Sequence, residues 1–420
     1  MNTVYDFVGK RESKALNYFL VYYLMAASSI PFFVGDIYLV AGFLLTLFLF
    51  LAKGKTIDRV IISYSLIFLA LFAVHVVAFG EFKLNTVIAY LMRISFAYFT
   101  VKMVGRNFDK YFINLIFYFS IIGLIITASI FANPGIADYI YANLVPFFDS
   151  ITYYPTTVKH FLIYTMELGY KVEVPRNSGP FWEPGGFSCF LFIALTFNIV
   201  RNKTFFNTKN VIFLLAIFTT QSTTAYIAIF VFFSLYIVIA NKAIYSLILI
   251  PVVVFLFITL YSNLNFMDEK INKMYNESTH AEKKKVYSRI VSGKVNVDNF
   301  LSSPIFGIGR FFLIKEEENS GNNGLTLLLA EFGLVGFGYY FLMMYNSYKA
   351  YCRIHNFNKN FAIAILAGLF VLGFSQGIFQ KPFFMGLCFM YLVRFDNVRM
   401  TTKELIRERY VLLRRQGRLL

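Results

Sequence analysis

Charge is scarce in this chain. Only 15% of its 420 residues are Asp, Glu, Lys or Arg, against about 25% in soluble domains. So thin a charged complement excludes a surface solvated mainly by water. Cysteine is also sparse, with three residues in all. Cys189 and Cys388 fall in apolar runs and Cys352 in a basic connection, so no disulfide framework is expected. Four histidines, His75, His160, His280 and His355, are scattered without zinc- or iron-ligand spacing. No metal centre and no cofactor is expected. The single tryptophan, Trp182, stands where glycine, proline and charge crowd together.

What the chain has is apolar mass. Hydrophobic residues make up 58%, aromatics 20%, and the mean hydropathy is +0.61, a composition built for lipid solvation. The formal net charge of +16 could suggest nucleic acid. The basic residues fall mostly between apolar runs, however, where they meet acidic headgroups and fix orientation. The lipid bilayer is the expected partner. Nucleic acid is not, because no soluble domain is present to carry it.

Apolar runs near the roughly 17–25 residues that cross a bilayer occur at 15–34, 37–52, 60–79, 84–104 and 111–131. They resume at 184–200, 210–222, 223–241 and 243–261, and again at 324–346, 360–380 and 382–396. Lys10, Arg11 and Lys14 before the first run resemble a signal peptide, but the run resumes at once, so an uncleaved first helix is expected. The expectation is an all-α polytopic membrane protein of about twelve spans, a single integral membrane domain over 1–420. Basic residues alternate sides only if the stretch 210–241 is two helices meeting at the polar run 219–224. Both termini then lie in the cytoplasm, with a basic tail at 397–420. Two large outer loops remain, 132–183 and 262–323, expected to form short helices over a cavity. There is no internal repeat and no inverted pair of interrupted helices.

Residues 176–191, RNSGPFWEPGGFSCFL, hold a cation, a carboxylate and five Gly or Pro residues before a span. Lipid does not tolerate such a segment, whereas a shaped polar pocket does. Arg176 can fork onto phosphate or carboxylate oxygens. Glu183 sits at a helix start, either as a functional carboxylate or as a cap paired with Arg176. In the second loop Lys283, Lys284, Lys285, Arg289, Lys294 and Arg310 repeat cations near the membrane. The lysine run reads as a solvated or lipid-facing face, while Arg289 and Arg310 suit a diphosphate. The segment Gly307-Ile308-Gly309 reads as a tight turn aiming Arg310, since it lacks the strand and Lys-Ser/Thr of a nucleotide loop. Asn322 and Asn323 cap the next span. Glu331 inside that span and Arg93 inside the fourth are expected to face a cavity or each other. The 219–224 run adds hydroxyls and an amide, a weak signal alone.

Together, in order, these segments resemble the O-antigen polymerase (Wzy-type) and O-antigen ligase family of bacterial membrane glycosyltransferases. The resemblance rests on RNSGPFWEPGGF from Arg176, TTQSTTA at 219–225, Ser288-Arg289, SPIFGIGR ending at Arg310, and NNG followed by LAEFGLVG from Leu329, and spans about 170–345. It implies a GT-C-like fold in the bacterial inner membrane. It implies undecaprenyl-diphosphate-linked oligosaccharide as substrate, attack by a sugar hydroxyl on an anomeric carbon, and diphosphate release without a bound metal. Arg176 and Arg289 match the arginines that neutralise the departing diphosphate. Glu183 is then the third catalytic candidate, with Arg310, Asn322, Asn323 and His280 binding substrate. Ligases of this group carry a histidine beside the asparagine where this chain has Asn322-Asn323, which favours a polymerase acting with a chain-length regulator and a flippase. A ligase, or a flippase for lipid-linked oligosaccharide, are the alternatives.

Overall fold

The computed structural model describes residues 13–80, 82–149, 158–167, 175–239, 289–310 and 323–393. The described chain is overwhelmingly helical. Helices α1 (Lys14–Ser29), α2 (Asp36–Ala52), α3 (Arg59–Phe79), α4 (Leu84–Val104) and α5 (Phe108–Ala132) follow the first five apolar runs closely. Short helices α6 (Gly135–Asn143) and α7 (Pro146–Asp149) open the first large loop, as expected. The loop also holds an unexpected antiparallel hairpin, β1 (Val158–His160) against β2 (Thr165–Glu167), with Lys159 opposite Met166. His160 is buried there against the Thr165 hydroxyl at 2.9 Å, and burial pushes its imidazole down to about 4.

Then come α8 (Pro184–Asn202), α9 (Thr208–Thr219), α10 (Thr223–Ile239), α11 (Arg289–Ser302), α12 (Gly324–Ile354), α13 (Phe361–Ser375) and α14 (Pro382–Leu387). The split of 210–241 into two helices holds: α9 stops at Thr219, and Gln221 turns the chain with φ 49°. The run at 243–261 lies outside the described residues. The last run is not one helix. After α14 the backbone goes on through three-residue turns, with Cys388 N–H on Met385 O and Phe389 N–H on Gly386 O. Cys352 lies in the last turn of α12 rather than in a connection, and all three cysteines are free and buried.

Among the described residues, α3, the joined stretch Leu84–Ala132, α8 and α12 are long and apolar enough to cross a membrane, and α2, α9, α10 and α13 are shorter apolar helices. The outer helices turn large apolar side chains such as Phe48, Leu66, Val77 and Phe131 outward, an arrangement lipid stabilises and water does not. This is a membrane protein. Helix α8 is apolar on every side and buried along almost its whole length, which makes it the hub of the bundle.

Between helices in lipid, packing replaces hydrophobic driving force, and aromatic rings supply it here. Phe181 stacks on Phe187 and Phe190, with centroids 5.1 and 4.5 Å away, and Phe383 sits 5.0 Å from Phe190 and 4.8 Å from Phe112. One ladder thereby joins the loop before α8 to α5, α8 and α14. At the far end of the bundle, Asp109 takes both oxygens to Arg201 (2.9 and 2.7 Å) and receives the Tyr351 hydroxyl at 3.1 Å, tying α5, α8 and α12. Asp58 holds Lys102 and Tyr98, each at 2.9 Å.

The apolar run at 324–346 falls in α12, which is interrupted. At Gly333 the backbone takes φ 58°, ψ −166°. Segment 304–309 inserts into the break like a strand. Ile308 and Gly309 N–H donate to the Ala330 and Glu331 carbonyls at 2.9 and 3.1 Å, while Leu334 and Val335 N–H donate to Pro304 and Ile305 at 2.9 and 3.1 Å. Two carbonyls and two N–H groups freed by the interruption are thus paired, as non-helical backbone inside a bilayer requires.

Candidate active site

The polar ends of α1, α5, α8, α9, α10, α12, α13 and α14 meet at one end of the bundle. The loop 175–183 is its framework. Asn177 accepts from its own Gly179 N–H at 3.0 Å, an Asx turn that Gly179 completes at φ 50°. Its amide also donates to Thr219 Oγ1 at 3.0 Å, and its N–H to Thr219 O at 2.9 Å. Gly179 O accepts from Thr165 N–H at 2.7 Å, and Trp182 N–H reaches Ser29 O at 3.2 Å. Pro184 opens α8 at a position where its missing N–H costs nothing. The loop is therefore rigid, and Asn177, Ser178 and Phe181 are buried.

That framework fixes Arg176. Its Nε donates to Thr220 O at 3.2 Å, and its own carbonyl accepts the Tyr164 hydroxyl at 3.2 Å. The arginine motif and the 219–224 turn, 44 positions apart, are thereby one structure. Thr220 is buried and spends its hydroxyl on Ile217 O at 2.7 Å, so this turn contributes carbonyls more than hydroxyls.

Glu183 occupies the N-cap position of α8, yet its side chain makes no capping bond. Its carboxylate accepts instead from Gln376 Nε2 in the connection between α13 and α14. The same connection carries Lys381, whose ammonium lies 4.5 Å above the Trp182 ring. Burial, then the neighbouring Arg93 guanidinium, push Lys381 down to about 8 against the pull of Glu183. One residue earlier, Gln380 donates to Glu331 and accepts from Arg310, whose guanidinium stands 3.8 Å from the Glu331 carboxylate. Connection 376–381 therefore joins the Glu183 group to the Arg310 group.

The tight-turn reading of Gly307-Ile308-Gly309 holds, with φ 76° and 79° at the two glycines. A Cβ at Gly309 would sit 2.8 Å from the His75 ring, and His75 Nε2 bonds Phe306 O at 2.7 Å to lock the turn. Glu331 takes Arg310 as its partner; Arg93 lies within electrostatic reach of both. Asn323 is the N-cap of α12, its Oδ1 accepting from Thr326 N–H at 3.1 Å, and it is fully buried. Arg289 is the first residue of α11, a helix packed along α12. Asn322 and His280 lie outside the described residues.

Sequence reasoning missed Gln376, Gln380 and Lys381. The one signal available was two glutamines and a lysine within six residues where the run 360–380 ends. It also missed Asn177, whose position two before a glycine was the cue for an Asx turn.

Connection 376–381 brings the cations Arg310 and Lys381 together with the Glu183 carboxylate, and Arg176 stands on the loop that leads to Glu183; all four side chains are partly exposed. Such a set can hold an anionic group and accept a proton beside it. No curated protein and no solved structure matches the chain. A family model described as O-Antigen ligase matches residues 210–341, from α9 into α12, leaving Arg176, Glu183 and the connection 376–381 outside the matched stretch. The matched stretch is about a third of the chain's length, and over it the chain is similar to the O-antigen ligase family.

Proposed function

We propose that the chain is a polymerase. It joins undecaprenyl-diphosphate-linked oligosaccharide repeat units into O-antigen, capsular or exopolysaccharide chains at the outer face of the bacterial inner membrane. Both termini then lie in the cytoplasm, and a flippase and a chain-length regulator are its partners. The acceptor sugar hydroxyl attacks the anomeric carbon of the donor, and a new glycosidic bond forms. The bond from that carbon to the diphosphate oxygen breaks, its electron pair leaving with undecaprenyl diphosphate. The hydroxyl proton passes to Glu183, which Gln376 holds in place. Arg176 and Arg289 take the charge that grows on the departing diphosphate, each well-placed donor contributing about 3 kcal/mol.

The observation that carries this reading is the docking of the Arg176 loop onto the α9–α10 turn. It joins a cation outside the matched stretch to one end of the family domain, beside a carboxylate that makes no capping bond. A ligase uses the same chemistry, and the matched family model carries that description. Chain deletion separates the readings. Surface glycan cut to one repeat unit on its lipid A core supports polymerase. Long undecaprenyl-linked chains left unattached support ligase, and repeat units stranded on the cytoplasmic leaflet would overturn both.

A further inference from the structure

The hairpin Val158–His160/Thr165–Glu167 and helix α5 lie outside the matched stretch, and the reaction just described gives them no task. Both nevertheless reach the loop that carries Arg176. Thr165 N–H donates to Gly179 O at 2.7 Å. The Tyr164 hydroxyl donates to the Arg176 carbonyl at 3.2 Å and meets Thr127 Oγ1 of α5 at 2.9 Å. A phenol has one proton to give. With that proton on Arg176 O, the Thr127 hydroxyl is the donor to the Tyr164 oxygen. One chain of hydrogen bonds therefore runs from α5 through the hairpin to the arginine's backbone. Tyr164 and Thr127 are both buried, so water does not compete for these bonds.

Helix α5 is shaped for this contact. Gly123 is buried one turn before Thr127, on the same helix face. A Cβ there would stand 2.5 Å from Asn177 Oδ1, the oxygen that closes the Asx turn of the Arg176 loop. Gly123 thus leaves room for Asn177 while Thr127 supports Tyr164. Arg176 itself is held at two points, its carbonyl by Tyr164 and its Nε by Thr220 O at 3.2 Å. With the backbone and the Nε both fixed, the guanidinium plane is set before any anion arrives. A donor that needs no reorganisation during the reaction stabilises growing charge most effectively.

We propose that Tyr164 is a positioning residue for Arg176, supported by Thr127 and seated by Gly123, so that the first large outer loop aims the arginine. The catalytic consequence rests on the polymerase reading, in which Arg176 takes the charge of the departing diphosphate. The grip on the loop does not depend on that reading.

The test compares the full chain with Tyr164→Phe, Thr127→Val, Thr127→Ser and the double variant Tyr164→Phe/Thr127→Val, each in liposomes with a lipid-linked repeat unit. Without the phenol hydroxyl, Thr127 can bond the carbonyl one turn back on its own helix, so Tyr164→Phe is expected to keep its melting temperature. Its kcat is expected to fall about tenfold, because a slightly misplaced donor is costly, while KM changes little. Thr127→Val is expected to lose less, and Thr127→Ser to recover the wild-type rate. The double variant is expected to be no slower than Tyr164→Phe, since both residues act through one chain. Fully additive losses would overturn the proposal. Hydrogen exchange of the backbone amides at 176–181, read by mass spectrometry, needs no activity and is expected to be faster in Tyr164→Phe. Unchanged exchange, or an unchanged kcat in an active enzyme, would overturn the proposal. A wild type that joins no repeat units removes the polymerase reading, and faster exchange in the variant then leaves the grip on Arg176 standing.

Discussion

Glu183 shows how a residue's chemistry is set by what folds against it. From sequence it is either a helix cap or a working carboxylate. The structure places it at the cap position with its side chain turned to Gln376, almost two hundred positions away. Arg176 is equally committed, and Arg176→Ala is expected to abolish chain extension while protein levels stay intact. Long glycan on cells expressing that variant, seen on a gel, would remove Arg176 from the mechanism. Lys381 carries the pH dependence. With its ammonium pushed down to about 8, it loses charge as pH rises through that value. Affinity for farnesyl diphosphate is therefore expected to fall between pH 7 and pH 9. In Lys381→Arg, whose guanidinium stays charged, the fall is expected to flatten. Glu331 and Arg93 were legible as anomalies because charge inside an apolar run is conspicuous, and Arg310 because a Gly-Ile-Gly turn precedes it. Gln376 and Gln380 were not, because uncharged amides do not interrupt the apolar run 360–380 as read from sequence, and only the fold ends the helix at Ser375 and shows what they touch.

Among the elements, the broken helix α12 was the least legible. A glycine within a helical pattern costs only about 1 kcal/mol, so LAEFGLVG reads as continuous helix. The break depends on segment 304–309 arriving from elsewhere to pair the freed groups, which no local pattern encodes. Gly333 is at positive φ with the Ile305 carbonyl where a Cβ would go, and Gly307 faces the Glu331 carbonyl in the same way. Gly333→Ala is expected to cost about 1–3 kcal/mol, read as a lower melting temperature in detergent, together with loss of activity as Arg310 shifts. Unchanged melting would show that the interruption tolerates a side chain. The division of α9 from α10 was legible, because charge alternation demanded a turn at the Thr-rich run that the structure provides. The hairpin Val158–His160/Thr165–Glu167 was not, since strands of three residues carry no detectable period.

At the scale of the molecule, the two ends of the bundle do different work. The end with Asp109, Arg201 and Tyr351 is closed by direct pairing. Asp109 is fully buried, whereas Arg201 is about a quarter exposed at 27%, so the two partners are not equivalent. Arg201→Met strands a buried carboxylate and is expected to destabilise by about 3–5 kcal/mol. Asp109→Asn leaves an arginine that can turn to water and is expected to cost less. Equal losses in chemical denaturation would show that the pair is not held as described. The opposite end leaves cations and a carboxylate partly exposed; composition and apolar runs pointed to a membrane protein before any contact was visible, and only the motif order, through its resemblance to a family, pointed to glycan chemistry. The most direct test is reconstitution of the purified chain in liposomes with one lipid-linked repeat unit as its only substrate. A ladder of longer glycans is expected, with one undecaprenyl diphosphate released for each bond formed. Repeat units that stay single, or that cross the bilayer without being joined, would contradict the account.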